Sequence, residues 1–349
     1  MLSFECDYNV GAHPKLLQRL IDTNLIRQSG YGADEYTACA KEKIRAACGD
    51  PDADVFFLAG GTQTNQIVID TCLSPVEGVI SADTGHINAH EAGAVEFTGH
   101  KIIALPHEHG KLRARDVEHC IETILTDENV DHLVRPGMVY ISHPTEYGTL
   151  YSKAELTALS DVCRRYGIKL FMDGARLGYG LEAAGTDVTL RHVTELCDAF
   201  YIGGTKVGAL CGEAVVFPRG GAPRYFFTAV KQHGALLAKG RLIGVQFDAL
   251  FTDGLYFEIS RRAVHAADKM RQVLRSEGYR FHIETVTNQI FVILTPEEYE
   301  ALGRVIKFGF WERLSDGNVV VRFASSWATT EEDVAEFEAC IRDFAKLRG

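Results

Sequence analysis

Short apolar runs alternate with amphipathic stretches through the first two thirds of the chain. Asp54–Ala59, Gly78–Ala82, Lys101–Leu105, Met138–Ser142, Ile168–Met172, Ala199–Gly203 and Glu213–Phe217 each end in glycine or polar residues. Several are apolar on consecutive rather than alternate positions, the pattern of strands covered by helices on both faces. The clearest helix between them opens at Ser152 with Glu155 three residues on, a capping box. It places Leu156, Leu159, Val162, Cys163 and Tyr166 on one face and stops at Gly167. This alternation predicts an α/β fold with a doubly wound, mainly parallel sheet between helices.

The pattern changes near Gly254. A long helical stretch, Tyr256 to Ser276, leads to strands around Phe281, Ile290–Leu294 and Val319–Phe323. A last helix follows, with Thr329 and Glu332 read as its capping pair and Val334, Phe337, Ile341 and Phe344 facing inward. We therefore expect a large domain over residues 1–253 and a smaller C-terminal α+β domain over 254–349, with the N-terminal segment reaching the small one. At 349 residues the chain is long enough for two cores. No Pro- or Ser-rich linker separates them, so an extensive shared interface is expected.

Composition narrows the partners. A formal charge of −11 disfavours nucleic acid and anionic membrane, which select basic faces. No apolar run approaches the roughly 20 residues that span a bilayer, and the first residues lack a signal-peptide pattern. Nine cysteines without a C-x-x-C suit free thiols in a reducing compartment, so a cytoplasmic protein is expected.

Chemistry concentrates at strand ends. Lys206, in Tyr-Ile-Gly-Gly-Thr-Lys-Val-Gly, closes an apolar run between glycines. Burial there favours the free amine that condenses with a carbonyl; many such lysines simply extend from a sheet edge. Upstream, the strand ending in Phe-Met-Asp-Gly-Ala-Arg delivers Asp173, with Arg176 three residues later. The plain alternative is a helix N-cap with a surface ion pair. A lysine for an aldehyde and an acid for a ring nitrogen are what pyridoxal 5'-phosphate (PLP) requires of its protein.

Gly60-Gly61-Thr62 follows a strand and opens a helix, an arrangement that holds phosphate on free N–H groups or serves as an ordinary turn. His86 follows the next strand on the same carboxyl edge, where it could stack on a flat cofactor or move protons. His86, His90 and Glu91 run H-x-x-x-H-E rather than H-E-x-x-H, so no metal is expected. Arg322 interrupts an apolar strand and needs either an internal acid or a substrate carboxylate.

Taken in order, the Gly60 turn with Asn65-Gln66 behind it, Ala-Asp-x-x-His, Asp-Gly-Ala-Arg, Thr-Lys-x-Gly and Arg322 resemble the low-specificity L-threonine aldolases. These belong to the β-eliminating lyase group of fold-type-I PLP enzymes, with an aspartate-aminotransferase-like large domain. The resemblance covers essentially the whole chain. It implies that Lys206 is the Schiff-base lysine, Asp173 pairs with the pyridine nitrogen and His86 stacks on the ring. It further implies that Gly61 and Thr62 hold the phosphate, with Gly60 and Thr205 also among the cofactor contacts, while Arg176 and Arg322 grip the substrate carboxylate. Arg241 and Tyr31 match residues that reach a neighbouring subunit's site, implying a homodimer or homotetramer with shared active sites. Two departures stand out. Cys6 replaces a family serine at the carboxylate contact and is a weaker donor. A second family histidine falls on Thr145 or Glu146, which leaves His86 or a group near Glu146 as the base. The activity implied is aldol cleavage of β-hydroxy-α-amino acids, most simply L-threonine or L-allo-threonine to glycine and acetaldehyde. The rival outcomes are β-elimination, transamination, and PLP or carboxylate binding without turnover.

Overall fold

In the computed structural model, which describes residues 2–345, the chain builds two sheets. The strands are β1 (Leu2–Phe4), β2 (Asp54–Leu58), β3 (Glu77–Ala82), β4 (Ile102–Leu105), β5 (Arg135–Ser142), β6 (Lys169–Asp173), β7 (Ala199–Gly203), β8 (Glu213–Phe217), β9 (Arg280–Ile283), β10 (Gln289–Leu294), β11 (Ile306–Arg313) and β12 (Val319–Ala324). The large sheet runs β2-β8-β7-β6-β5-β3-β4. All its strands share one direction except β8, which pairs antiparallel with both β2 and β7. The connection 204–212 is shorter than the dozen or so residues of a parallel crossover, so β8 can only return alongside β7. Alternate strand residues serve two cores. Ile80, Val139, Met172 and Phe200 pack on one face, while Val79, Met138, Phe171 and Tyr201 pack on the other.

The helix expected after Ser152 spans Lys153–Tyr166 with the capping box formed, and Gly167 ends it in the left-handed conformation at φ 67°. The last helix departs from expectation by one residue. Thr330 and Asp333, not Thr329 and Glu332, exchange the capping bonds that open Glu331–Ala345.

The smaller sheet runs β1-β11-β12-β10-β9. Two of its strands escaped the sequence pattern. β11 mixes buried and exposed positions and is bulged between Phe310 and Glu312, which breaks alternation. β1 has three residues and exists by parallel pairing with Ile306–Phe308, 304 positions away in register. The helix Leu255–Ser276 links the sheets: Tyr256, Ile259 and Ala263 join the large core, and Ala267, Met270 and Leu274 join the small one. Among the described residues, no helix is long and apolar enough to cross a membrane.

Candidate active site

Because all strands but β8 point the same way, the loops after β2, β3, β5, β6 and β7 converge on one edge, together with the first residue of β8. Ligands of open α/β sheets collect there. They enclose a cavity of about 290 Å³ lined by Gly60, Gly61, Thr62, His86, Glu146, Asp173, Arg176, Thr205 and Lys206. A second cavity of about 500 Å³ continues outward past His86, Arg176 and Lys206 to Arg322 and Trp311.

Asp173 ends β6, and the apolar strand behind it buries the carboxylate. Four donors compensate: Tyr201 hydroxyl (2.6 Å), Tyr140 hydroxyl (2.7 Å), Asn65 Nδ2 (3.0 Å) and the Ala175 N–H (3.0 Å). Burial pushes its pKa up, but the nearby His86 and these hydroxyl and N–H bonds outweigh it and hold the acid below its usual value. It neither caps a helix nor pairs with Arg176, so the plain reading of this segment is set aside.

Lys206 occupies a turn whose main chain is fixed by neighbours. Its carbonyl accepts the Tyr179 hydroxyl at 2.5 Å, and the Gly204 and Thr205 N–H groups both donate to Gly212. Among the described residues its ammonium forms no ion pair within 4 Å; the Tyr8 ring lies 6.0 Å away. Burial, then the charge of Arg176, lowers its pKa toward the free amine.

Glu146 follows β5, where Ser142 Oγ (2.6 Å) and the His86 backbone N–H (2.9 Å) both donate to its Oε1. Burial raises its pKa, and the charge of Asp173 adds to the effect. His86 opens a short helix after β3, with Nδ1 2.8 Å from Glu91 Oε1.

The arginines divide their work. Arg176 directs Nε (2.6 Å) and Nη2 (3.0 Å) at the fully buried Asp7. Burial alone would raise the Asp7 pKa; Arg176, Lys206 and Arg322 bring it down to about 2. Arg322 has no carboxylate partner among the described residues. It donates to Gln289 Oε1 (3.1 Å) and the Glu5 carbonyl (3.2 Å), lies 5.8 Å from the Trp311 ring, and keeps a buried Nε without a partner. The internal salt bridge weighed from the sequence does not form.

Three anticipated residues lie elsewhere in this chain. Cys6 lines a separate cavity with Asn9, Ser326 and Thr329, and it is Asp7 that reaches Arg176. Arg241 donates to the carbonyls of Ile26 (2.5 Å) and Thr23. Tyr31 is half exposed, beside Lys231 and Phe227. Conversely, Tyr140, Tyr201 and Glu213 were not anticipated, and Glu91 was weighed only as a metal ligand. The tyrosines look like core residues of apolar strands. Glu213 opens an apolar run as Asp173 closes one, and that symmetry was the available signal.

These residues fit PLP. A Cβ built on Gly60 meets nothing within 4 Å, so the backbone of the turn stands open to the cavity at the start of the helix Gly61–Cys72. The same cavity is lined by Lys206, whose amine has no ion pair among the described residues, and by the Asp173 carboxylate, held below its usual pKa.

Such an edge defines a fold-type-I, PLP-dependent class of enzyme. The chain belongs to the beta-eliminating lyase family, whose profile matches residues 19–290. It is 29% identical over 342 residues to the low specificity L-threonine aldolase of Pseudomonas sp. (strain NCIMB 10558), covering 97% of this chain and 96% of that one. The structure of Leishmania major threonine aldolase superposes with a TM-score of 0.95 at 39% identity, covering 99% of this chain and all of that one (100%). Aspartate aminotransferase from Thermus thermophilus shares the fold, with a TM-score of 0.71 at 15% identity over 99% of this chain and 91% of its own.

Proposed function

We propose that the protein cleaves β-hydroxy-α-amino acids, most simply L-threonine or L-allo-threonine, to glycine and an aldehyde. The observation that carries this is the convergence of Lys206, Asp173 and the carboxylate-free Arg322 on one pair of joined cavities. Full-length likeness to proteins named threonine aldolases favours aldol cleavage over transamination or elimination.

PLP, when bound, supplies the electron sink for the Cα–Cβ bonding pair. Lys206 would hold it covalently, Gly60, Gly61, Thr62 and Thr205 would receive its phosphate, and His86 would cover the ring. Asp173, held below its usual pKa by its shell of donors, would keep a ring nitrogen protonated. Arg322 takes the substrate carboxylate through its free Nε, assisted by Arg176, whose Nε and Nη2 already serve Asp7. His86 and Glu146 face the same space and are the candidates to take the β-hydroxyl proton. Burial brings the Glu146 acid closer to neutral pH, where a base works best.

A second copy of the chain completes this reading as a homodimer or homotetramer with shared sites. Tyr31 and Phe227 share a small cleft, and Leu25, Ile26, Tyr31 and Phe227 expose apolar surface. Nine free thiols suit the cytoplasm. The test is a substrate screen of the PLP-loaded protein with threonine, allo-threonine, phenylserine and serine. Steady aldehyde release supports the reading. Pyruvate with ammonia, or no turnover, overturns it.

A further inference from the structure

Glu91 has no part in the roles above, yet its carboxylate lies wholly out of solvent beside the cavity. Its Oε1 accepts two bonds of 2.8 Å, from Asn65 Nδ2 and from His86 Nδ1. The same Asn65 nitrogen donates to Asp173 Oδ2 at 3.0 Å. One amide therefore ties two buried carboxylates together, one against the imidazole and one at the end of β6. Two acceptors in this cluster, Glu91 Oε2 and Asn65 Oδ1, are buried without hydrogen-bond partners among the described residues. A protein that needed only packing here would gain by an apolar residue, since buried unpaired acceptors are costly. The carboxylate is explained by what it does to the ring.

An ionised carboxylate only accepts hydrogen bonds, so His86 Nδ1 must carry the ring hydrogen. The side chain of His86 is 35% exposed while that of Glu91 is 0% exposed, so the open side of the ring is the one away from Glu91, which carries Nε2. His86 also lines both cavities, and its backbone N–H is held by Glu146. The ring is thus anchored at its main chain and at one nitrogen.

We propose that Glu91 is a positioning residue that locks His86 in the Nδ1–H tautomer and leaves Nε2 as the proton-accepting nitrogen for the substrate β-hydroxyl. The proposal rests on the aldol reading and chooses His86 over Glu146 within it. The hydroxyl proton passes to Nε2 as the Cα–Cβ bond breaks and the C–O bond becomes a carbonyl. The imidazolium so formed lies against the Glu91 carboxylate, the arrangement of a carboxylate supporting a histidine base. That proton is returned as the α-carbon of glycine is completed, so none is gained or lost overall. The shared Asn65 links the support of the imidazole to that of Asp173.

The test uses the PLP-loaded enzyme and the variants Glu91→Gln and Glu91→Asp. Nitrogen-15 NMR of the His86 ring, identified by its loss in His86→Asn, reads the tautomer without relying on turnover. In the wild type, Nδ1 should be protonated and Nε2 should not. In Glu91→Gln the amide can donate to Nδ1, so the hydrogen should move to Nε2. The kcat on threonine should then fall about 10²-fold, the scale of a lost general base, with KM changed little and the cofactor's visible absorbance retained. Glu91→Asp should restore the wild-type tautomer and part of the rate. A wild-type ring protonated on Nε2, or a Glu91→Gln enzyme with cofactor bound and near-normal kcat, overturns the proposal. Should Glu91→Gln fail to fold, the wild-type tautomer and the Glu91→Asp rate decide. If the wild type releases no aldehyde, the aldol reading fails by itself, while the ring spectra still show whether Glu91 sets the tautomer.

Discussion

Arg176 and Asp7 meet as two parallel charge-assisted bonds of 2.6 and 3.0 Å, although 169 positions separate them. The pair fastens the N-terminal segment, whose β1 belongs to the smaller sheet, onto the loop after β6 of the larger one. Asn288, just before β10, adds a third bond to Asp7 at 2.9 Å. Asp7→Asn leaves the Arg176 charge buried without compensation, and losses on breaking such pairs run to about 3–5 kcal/mol. Because the folded pKa of Asp7 is depressed to about 2 from 3.8, its contribution is complete above pH 4 and disappears as pH falls through 2. Denaturant titrations from pH 2 to 7 should show the wild type converging on the variant at the acid end. Parallel curves would assign the stability elsewhere.

Asp173→Asn retains the size of the side chain but not its charge. The hydroxyls of Tyr140 and Tyr201 can still donate to the amide oxygen, so folding should survive. Turnover should drop by roughly 10²-fold or more, as when a preorganised electrostatic partner is removed. Near-normal kcat with cofactor bound would leave Asp173 a structural role only.

Glu213 pairs in register with Leu58 and Gly203, between the two turns that bound the cavity. Its Oε2 accepts the Gly204 N–H at 3.0 Å, and burial pushes its pKa up to about 7. For an acid with a raised folded pKa, the native state binds more protons than the unfolded one between 4.5 and 7, so stability falls as pH rises through that window. Glu213→Gln should remove this slope. The cofactor-free variant should exceed the wild type by about 3 kcal/mol at pH 8 and match it near pH 4. A pH-independent difference in chemical denaturation would show that the Glu213 acid titrates normally.

Arg241 and Tyr31 lie outside this chain's own cavity, and a shared site predicts complementation. Lys206→Ala alone should lose the cofactor's visible absorbance and all turnover, and Arg241→Ala should bind PLP weakly. Co-expressed, the two should form hybrids in which one of two sites draws both groups intact, and activity should partly return. Verified hybrids no more active than their parents would exclude sharing through Arg241.

The sequence by itself determined which residues stand at strand ends. Apolar runs that stop at Asp173 and before Lys206 could only be covered strands, and the glycines at 60 and 61 could only be a turn into a helix. Those are local facts, decided by period, propensity and burial. Tertiary structure decided whom the charges meet. Nothing near Arg176 in the chain announces Asp7, and nothing in Tyr140 or Tyr201 distinguishes a core ring from a donor to a buried acid. β1 and β11 were invisible for the same reason: three residues have no period, and a bulged strand has a broken one. β1 owes its pairing to a contact that closes only when the N-terminus crosses to the small sheet, whereas β11 is held by β12 across a short turn. The direction of a charge's stabilisation depends on such remote partners and on burial, and a linear pattern holds neither.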